Sequence, residues 1–159
     1  MGSAFYQTGG FFYIDKKTNQ ALVRHDLSDD AASKNEAALV PCRAMSKVRR
    51  NRHQSCVSII DPERPGWYMI HRKGYVYFEP EYATRNRKRF DKDASFFISR
   101  SKLFPGFRMF ESVSRPNHFT HTTADDMLAL SLFQNTSDFH AAASLYPIRR
   151  NYKGELTVI

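Results

Sequence analysis

The sequence predicts an all-β fold, on two observations. Short runs rich in aromatic and β-branched residues recur along the 159 residues, and Gly, Pro and Asn separate them. Helical periodicity is scarce: residues 31–40 allow a turn or two of helix before Pro41, but a closing strand fits that segment better. The predicted strands are 11–15, 21–26, 57–60, 67–71, 75–79, 95–99, 108–113 and 128–133.

Composition limits the class of protein further. Hydrophobic residues make up 42% and aromatic residues 14% of the chain, which excludes intrinsic disorder of the whole chain. No run has the 18 or so apolar residues of a membrane span, so we expect no membrane insertion. The 24 Lys and Arg against 16 Asp and Glu give a net charge of +8, which attracts anions.

An internal repeat is the third observation. Phe12, Tyr68 and Phe119 hold the same place in three aromatic strands that each follow a turn, at spacings of 56 and 51 residues. Each unit also ends in a strand of small and apolar residues, at 36–40, 93–97 and 142–146. The sequence therefore predicts one domain, 4–150, with repeats 4–50, 51–104 and 105–150. Residues 151–159 are either a closing strand or a tail.

The strand count predicts the architecture. Counting the strand before each aromatic turn, at 4–7, 57–60 and 110–113, each unit has four strands. Three four-stranded units are typical of a β-trefoil, in which outer strands close a barrel and hairpins cap it. Closure removes exposed sheet edges. A twelve-stranded sandwich is the alternative, but it gives no reason for a threefold repeat.

Three segments carry a resemblance to a known family. Residues 65–72 read Pro-Gly-Trp-Tyr-Met-Ile-His-Arg, residues 93–96 read Asp-Ala-Ser-Phe, and 110–113 read Phe-Glu-Ser-Val. This pattern resembles the arabinofuranosidase B-type (AbfB) carbohydrate-binding domain. The resemblance covers nearly the whole chain to Arg150 and is strongest in the middle repeat. It implies a β-trefoil that binds arabinofuranose side chains of plant polysaccharides without catalysis, as part of a larger secreted or cell-surface protein.

The resemblance also implies a site in the middle repeat. His71 and Asp93 match positions that line a sugar pocket in the family, and Tyr68 or Trp67 would supply an apolar plate for the ring. Charge-assisted bonds from Asp93 would be the strongest contacts. The alternative is structural: Asp93 caps a turn and His71 is a hydrogen-bonded residue of the barrel.

The other two repeats depart from the pattern. In the first, Glu36 stands at the Asp position and would push its carboxylate into the sugar's space. In the third, His121 comes one residue early and Ala142 or a neighbour replaces the Asp, so that pocket is lost or changed. The candidates for a secondary ligand site there are His118, His121 and Asp138.

Two basic segments suggest a different ligand. Planar Arg side chains bind sulfates, phosphates and carboxylates bidentately. The predicted polyanion-binding residues are Arg49, Arg50, Arg52, Arg85, Arg87, Lys88 and Arg89. They point to an acidic, heparin-like polysaccharide as the alternative partner. Nucleic acid is not favoured, because no nucleic-acid motif accompanies them. A protein partner is the third class.

Cys42 and Cys56 leave two possibilities open. A disulfide between them is geometrically possible in a trefoil and would indicate an extracellular or secretory compartment. Two buried thiols in a cytosolic protein are the alternative. We predict no metal and no cofactor, since neither zinc spacing nor a phosphate-binding loop occurs. Without a Gly-x-Ser-x-Gly motif, the sequence gives no support for an enzyme.

Overall fold

A computed structural model describes residues 10–25, 35–44 and 55–146, together with the backbone of 148–150 and 156–158. The strands are β1 (Phe11–Ile14), β2 (Ala21–Arg24), β3 (Ala38–Pro41), β4 (Ser55–Ile60), β5 (Trp67–Arg72), β6 (Tyr75–Pro80), β7 (Phe96–Arg100), β8 (Arg108–Ser112), β9 (His118–Thr122), β10 (Leu128–Leu132), β11 (Ile148–Arg150) and β12 (Leu156–Val158). The helices are α1 (Arg87–Asp93) and α2 (Ser137–Ala143), and a 3-10 turn covers Glu81–Ala83.

Seven strands close into a barrel. The hydrogen-bonded order is β4-β5-β6-β10-β9-β8-β7, and β7 pairs back with β4. β3 adds to the outside of this ring by pairing with β4, and β1–β2 and β11–β12 form separate two-stranded sheets. The all-β prediction is confirmed. Neither described helix has the length and apolar character needed to cross a membrane.

Three hairpins lie against one another in cyclic order. We call β1–β2, β5–β6 and β9–β10 the first, middle and third hairpins. The carbonyl at each hairpin's tip accepts a hydrogen bond from a backbone N–H of the next. The bonds run from Phe78 to Asn19 (2.7 Å), from Leu130 to Gly74 (2.9 Å) and from Val23 to Asp126 (2.9 Å). This order agrees with three related units. The four-stranded repeat stays a prediction, because the predicted strand 4–7 lies outside the described residues.

The core fills the barrel between these strands. Its largest fully buried side chains include Phe78, Phe96, Phe110 and Met69. Phe12 meets Phe110 edge to face, with ring centroids 5.0 Å apart, so the first hairpin packs on the barrel. Each such side chain stabilises the fold by about 1.5–3 kcal/mol through burial. The barrel is therefore the rigid base on which the exposed connections are held.

Two predicted strands begin as helices. Residues 93–97 and 142–146 were expected to be extended, but Asp93 is the last residue of α1 and Ala142 lies inside α2. β7 starts only at Phe96, and Leu145 forms a single bridge with Arg108. The expectation of strands at the start of both segments was wrong because a seven-residue helix is too short to show a hydrophobic period.

Caps and buried rings explain these helices. The side chains of Asn86 and Thr136 accept hydrogen bonds from the N–H groups of residues three positions later, as N-caps do. Phe90 and Phe139 anchor the two helices against the barrel. At the other end, the hydroxyl of Ser95 donates to the Asp91 carbonyl, and Ser144 donates to the carbonyl of His140 in the same way. The two helices are therefore built on one plan.

The two cysteines form a disulfide. Cys42 follows β3 and Cys56 lies in β4, with Cα atoms 5.3 Å apart. The bond joins the two ends of the segment 43–55, whose residues 45–54 lie outside the description. Of the two possibilities that the sequence left open, the structure has the bridge.

Candidate functional site

A cavity of about 620 Å³ opens beside the middle hairpin, and we call it the middle-hairpin cavity. Its walls come from the end of β5, from α1 and from the connection between β8 and β9. Its cationic lining residues are Arg72, Lys73, Lys88, Arg89, Lys92 and Arg115. Among the described residues of the lining, Asp93 is the one carboxylate. Such an excess of positive charge in a concave site attracts anions.

His71 forms part of the cavity wall. It lies near the end of β5 and is only 3% exposed. Its Nε2 lies 2.7 Å from Ser112 Oγ and 3.0 Å from Ser114 Oγ. The backbone N–H of Arg115 also donates to Ser112 Oγ, at 3.1 Å. These bonds hold the imidazole and the Ser114 hydroxyl together at the entrance of the connection between β8 and β9.

Burial lowers the pKa of His71 below its usual value of 6.5. The negative charge of Asp93 opposes this shift, and the positive charge of Arg115 adds to it. The neutral imidazole is therefore the favoured form, with one nitrogen able to donate and one able to accept. A neutral histidine suits a hydroxyl group better than an anion.

Asp93 lies at the end of α1 with its side chain largely buried. Its Oδ2 is 3.6 Å from Nε of Arg89, one helical turn earlier. Among the described residues, its carboxylate accepts no hydrogen bond from a backbone N–H. The structure therefore does not show Asp93 capping a turn, and its oxygens keep acceptor capacity beside His71.

The two sites predicted from the sequence meet in this cavity. Lys88 and Arg89, predicted to bind a polyanion, line the same space as His71 and Asp93, predicted to bind a sugar. Arg85 and Arg87 belong to the same basic segment but do not line the cavity. Arg49, Arg50 and Arg52 lie outside the described residues. Lys92 and Arg115 were not in the predicted set, and only Lys92 had a sequence signal, from its basic segment.

Tyr68 and Trp67 do not line the cavity. Tyr68 lies edge to face on Phe90, and the Arg43 guanidinium carbon is 4.6 Å from the Tyr68 ring centroid. Trp67 lies beneath Arg64, whose guanidinium carbon is 3.8 Å from its ring. Both rings are thus occupied by arginines of this chain. The apolar surface of the cavity comes from Val113 and Pro116 instead.

The secondary candidates are separated from this cavity. His121 Nδ1 bonds the Thr122 carbonyl at 3.1 Å, and its Nε2 bonds Ser131 Oγ at 2.8 Å, so both ring nitrogens are used. Burial lowers the pKa of His121. His118 bonds the Pro116 carbonyl, and Asp138 lies in the first turn of α2. None of these three lines the middle-hairpin cavity.

Glu36, in the segment before β3, is buried and bonded to the first hairpin rather than directed at a ligand. Its Oε1 accepts a hydrogen bond from the Tyr13 hydroxyl at 3.2 Å.

The described groups of the cavity do not include a complete catalytic triad. A hydroxyl next to a neutral imidazole resembles a nucleophile and its base, but a triad also needs a group that orients the second ring nitrogen. No described carboxylate hydrogen-bonds that nitrogen of His71. In the described ranges, no group of three or more His, Cys, Asp and Glu side chains could hold a metal ion. That the chain is not an enzyme stays a prediction.

The chain matches no protein-family model and no curated protein sequence. It is similar in structure to an arabinofuranosidase complexed with arabinofuranosyl-α-1,2-xylobiose, with a TM-score of 0.59 and 16% identity, over 87% of this chain and 30% of that one. It is also similar to a mutant GH54 α-L-arabinofuranosidase soaked with 4-nitrophenyl α-L-arabinofuranoside, with a TM-score of 0.51 and 20% identity, over 62% of this chain and 21% of that one.

A third solved structure comes from a different class of protein. The NMR structure of the pro-inflammatory cytokine interleukin-36alpha aligns with a TM-score of 0.55 and 14% identity, over 87% of this chain and 90% of that one. At such identities the similarity concerns the fold. The chain spans less than a third of the two arabinofuranosidases and nearly all of the cytokine.

Proposed function

We propose that this chain is a non-catalytic glycan-binding module with a β-trefoil fold, and that it binds an acidic sugar unit in the middle-hairpin cavity. The observation that carries this proposal is the pairing of buried His71 and Asp93 with six lining cations in one concave site. The fold similarity to two arabinofuranosidases supports a carbohydrate ligand. The cyclic contacts of the three hairpins support the trefoil.

The wall of the cavity suits sugar hydroxyls. A hydroxyl both donates and accepts, so it can donate to the Asp93 carboxylate while it accepts from a neighbouring group. The neutral His71 ring and the Ser114 hydroxyl add further directional partners, held together by their mutual bond of 3.0 Å. Val113 and Pro116 offer C–H surface to one face of the ring. Neutral and charged sugars would use this wall alike.

The charge of the cavity lining favours a charged sugar over a neutral one. A neutral arabinofuranose needs no cation, yet Arg89, Lys92 and Arg115 stand beside a single carboxylate. Arginine binds carboxylates and sulfates through two parallel hydrogen bonds. We therefore favour a sugar that carries a carboxylate or sulfate group, and place the arabinofuranose-like ligand second. One such pocket supplies about −4 kcal/mol, which corresponds to a roughly millimolar dissociation constant.

Two observations support a compartment and a parent protein for this module. The disulfide between Cys42 and Cys56 supports an oxidising, extracellular compartment. The chain spans less than a third of each arabinofuranosidase, which supports a module within a larger protein.

A glycan array at low and near-physiological salt tests the proposal, with neutral arabinofuranosyl oligosaccharides and heparin fragments side by side. We expect binding to acidic chains that weakens as salt rises, because salt screens exposed charges. Arg89→Gln should reduce it several-fold. Arg87→Gln is the matched control: the same helix and the same charge change, but outside the cavity.

Three results would count against the proposal. Salt-insensitive binding to arabinofuranosides alone would restore the neutral ligand. Equal losses from Arg87→Gln and Arg89→Gln would place binding on the surface of α1 rather than in the cavity. No binding to any glycan on the array would favour a protein partner.

A further inference from the structure

The middle hairpin has a second hollow, between β5 and α1, and Arg43 fills it. We call this the filled niche. The Arg43 guanidinium carbon lies 4.6 Å from the Tyr68 ring centroid and 5.6 Å from that of Phe90. Its Nε bonds Asp91 Oδ1 at 2.8 Å, and its Nη1 bonds Glu81. A planar cation from the segment after β3 thus sits on two aromatic rings between two carboxylates.

The third hairpin builds the same hollow and leaves it open. Phe119 holds the place of Tyr68 as the second residue of β9, and Phe139 holds the place of Phe90. His140 follows Phe139 as Asp91 follows Phe90, and both carbonyls accept the hydroxyl of a serine four residues on. Here a cavity of about 390 Å³ remains, which we call the open niche.

The lining of the open niche is apolar at its base and cationic at one side. Met109, Phe119 and Phe133 line it, with the two phenylalanine rings 5.6 Å apart. Arg100 and Lys102, from the segment around the end of β7, line it as well. Both are exposed, and neither forms an ion pair with a described residue. The described lining contains no carboxylate. The niche therefore favours an apolar body with a negative charge.

One lining residue, His140, has a ring nitrogen without a partner among the described residues. His140 is 6% exposed, and its buried Nδ1 makes no hydrogen bond with a described residue. Its Nε2 lies 3.3 Å from Asn135 Oδ1, a carboxamide oxygen that can only accept. When the ring is neutral, this contact puts the proton on Nε2 and leaves Nδ1 as an acceptor. A buried acceptor without a partner destabilises a protein by roughly 1–3 kcal/mol. A ligand that donates a hydrogen bond to this atom would therefore gain binding free energy.

We propose that the open niche binds a small aromatic acid that carries a hydrogen-bond donor. The aromatic ring packs on Met109, Phe119 and Phe133, a hydroxyl or N–H of the ligand donates to His140 Nδ1, and the acid group faces Arg100 and Lys102. This site shares no lining residue with the middle-hairpin cavity. It would stand whether or not a glycan binds there.

The probe is 3-(4-hydroxyphenyl)propionate, compared with its primary amide and its 4-methoxy analogue. The amide lacks the negative charge, and the methoxy analogue lacks the donor. The readout is the NMR shift of the Met109 methyl group, with Met69 as the internal reference because Met69 is fully buried in the barrel. We expect the acid to shift the Met109 signal saturably. The methoxy analogue should bind about five- to tenfold more weakly, the loss of one hydrogen bond, and the amide about two- to fivefold more weakly, the loss of one exposed ion pair.

Two variants check the roles of the lining residues. Lys102→Ala, on an exposed side chain that leaves the fold intact, should weaken the acid several-fold and leave the amide unchanged. His140→Phe should remove the preference for the hydroxyl over the methoxy group. Because His140 is buried, thermal unfolding of His140→Phe is measured first. If His140→Phe does not fold, Lys102→Ala alone decides.

Some outcomes would overturn the proposal. No Met109 shift at millimolar probe would exclude the site. Equal binding of the acid and its amide would exclude the role of the cations. A Met109 signal that moves with protein concentration before any probe is added would mean that a second copy of the chain occupies the niche.

Discussion

The middle and third hairpins build the same hollow, and only one of them is filled. In the filled niche, Asp91 and Glu81 hold the guanidinium of Arg43 on two aromatic rings. In the open niche, His140 stands where Asp91 would be, and Arg100 lines the space without an acidic partner among the described residues. The imidazole at this place removes one of the two carboxylates that hold a cation in the filled niche. In the sites that we propose, a few side chains on hairpins and helices of similar build would therefore set the ligand chemistry.

At the middle-hairpin cavity the difference runs the other way: the middle hairpin is open and the third hairpin is closed at the equivalent place. His71 is the fifth residue of β5, and the fifth residue of β9 is Thr122. The Thr122 hydroxyl donates to the carbonyl of Ala142, so the third hairpin closes this place with an internal hydrogen bond. Beside the middle hairpin, His71 and Asp93 keep hydrogen-bonding capacity for a ligand. Each of these two hairpins thus has one hollow closed and one open.

Arg43→Met should have the largest effect, because it leaves Asp91 and Glu81 without their shared cation. Both carboxylates are partly shielded from water. We expect the free energy of unfolding to fall by about 2 to 3 kcal/mol, somewhat less than for a fully buried pair. Chemical denaturation measures it. Lys102→Met in the open niche is the matched control and should change stability by about 0.5 kcal/mol or less. Equal losses of unfolding free energy in Arg43→Met and Lys102→Met would show that Arg43 is no more important to the fold than the cation of the open niche.

Asp93→Asn should come next, with a roughly tenfold loss of affinity for an acidic glycan fragment. The amide keeps the shape of the carboxylate but loses its charge, so its hydrogen bonds to sugar hydroxyls weaken. Isothermal titration calorimetry would measure the loss. Asp138→Asn in α2 is the matched control outside the cavity. Unchanged affinity in Asp93→Asn would remove this residue from the proposed site, and a gain would mean that Asp93 repels the ligand's acid group.

The smallest effect is a pH dependence of stability. Because burial lowers the pKa of His71, the unfolded chain binds a proton more readily than the folded chain below about pH 6.5. The contribution of His71 to the free energy of unfolding is therefore fully present above that pH. It is lost as the pH falls through the lower pKa of the folded state. Urea unfolding between pH 8 and pH 5 would show the slope. His71→Asn should flatten it more than His118→Asn does, and His121→Asn should flatten it too, since burial also lowers the pKa of His121. A slope unchanged in both His71→Asn and His121→Asn would contradict this account.

Part of the site was predictable, and the reasons for the rest are physical. His71, Asp93, Lys88 and Arg89 were named from motifs and charge runs, and they line one cavity. That Tyr68 turns to Arg43 was not predictable, because β5 exposes two faces and packing decides which partner each face meets. Arg115 was not found, because a lone arginine beside a turn carries no pattern.

The sequence by itself determined the all-β class, since aromatic and β-branched runs between turn residues favour strands whatever their partners. It also determined the positive charge and left only two states for Cys42 and Cys56. Tertiary structure decided that these cysteines are joined, that residues 87–93 are helical, and that the basic segment meets His71. These outcomes depend on contacts between residues far apart in the chain, and neither local propensity nor periodicity contains that information.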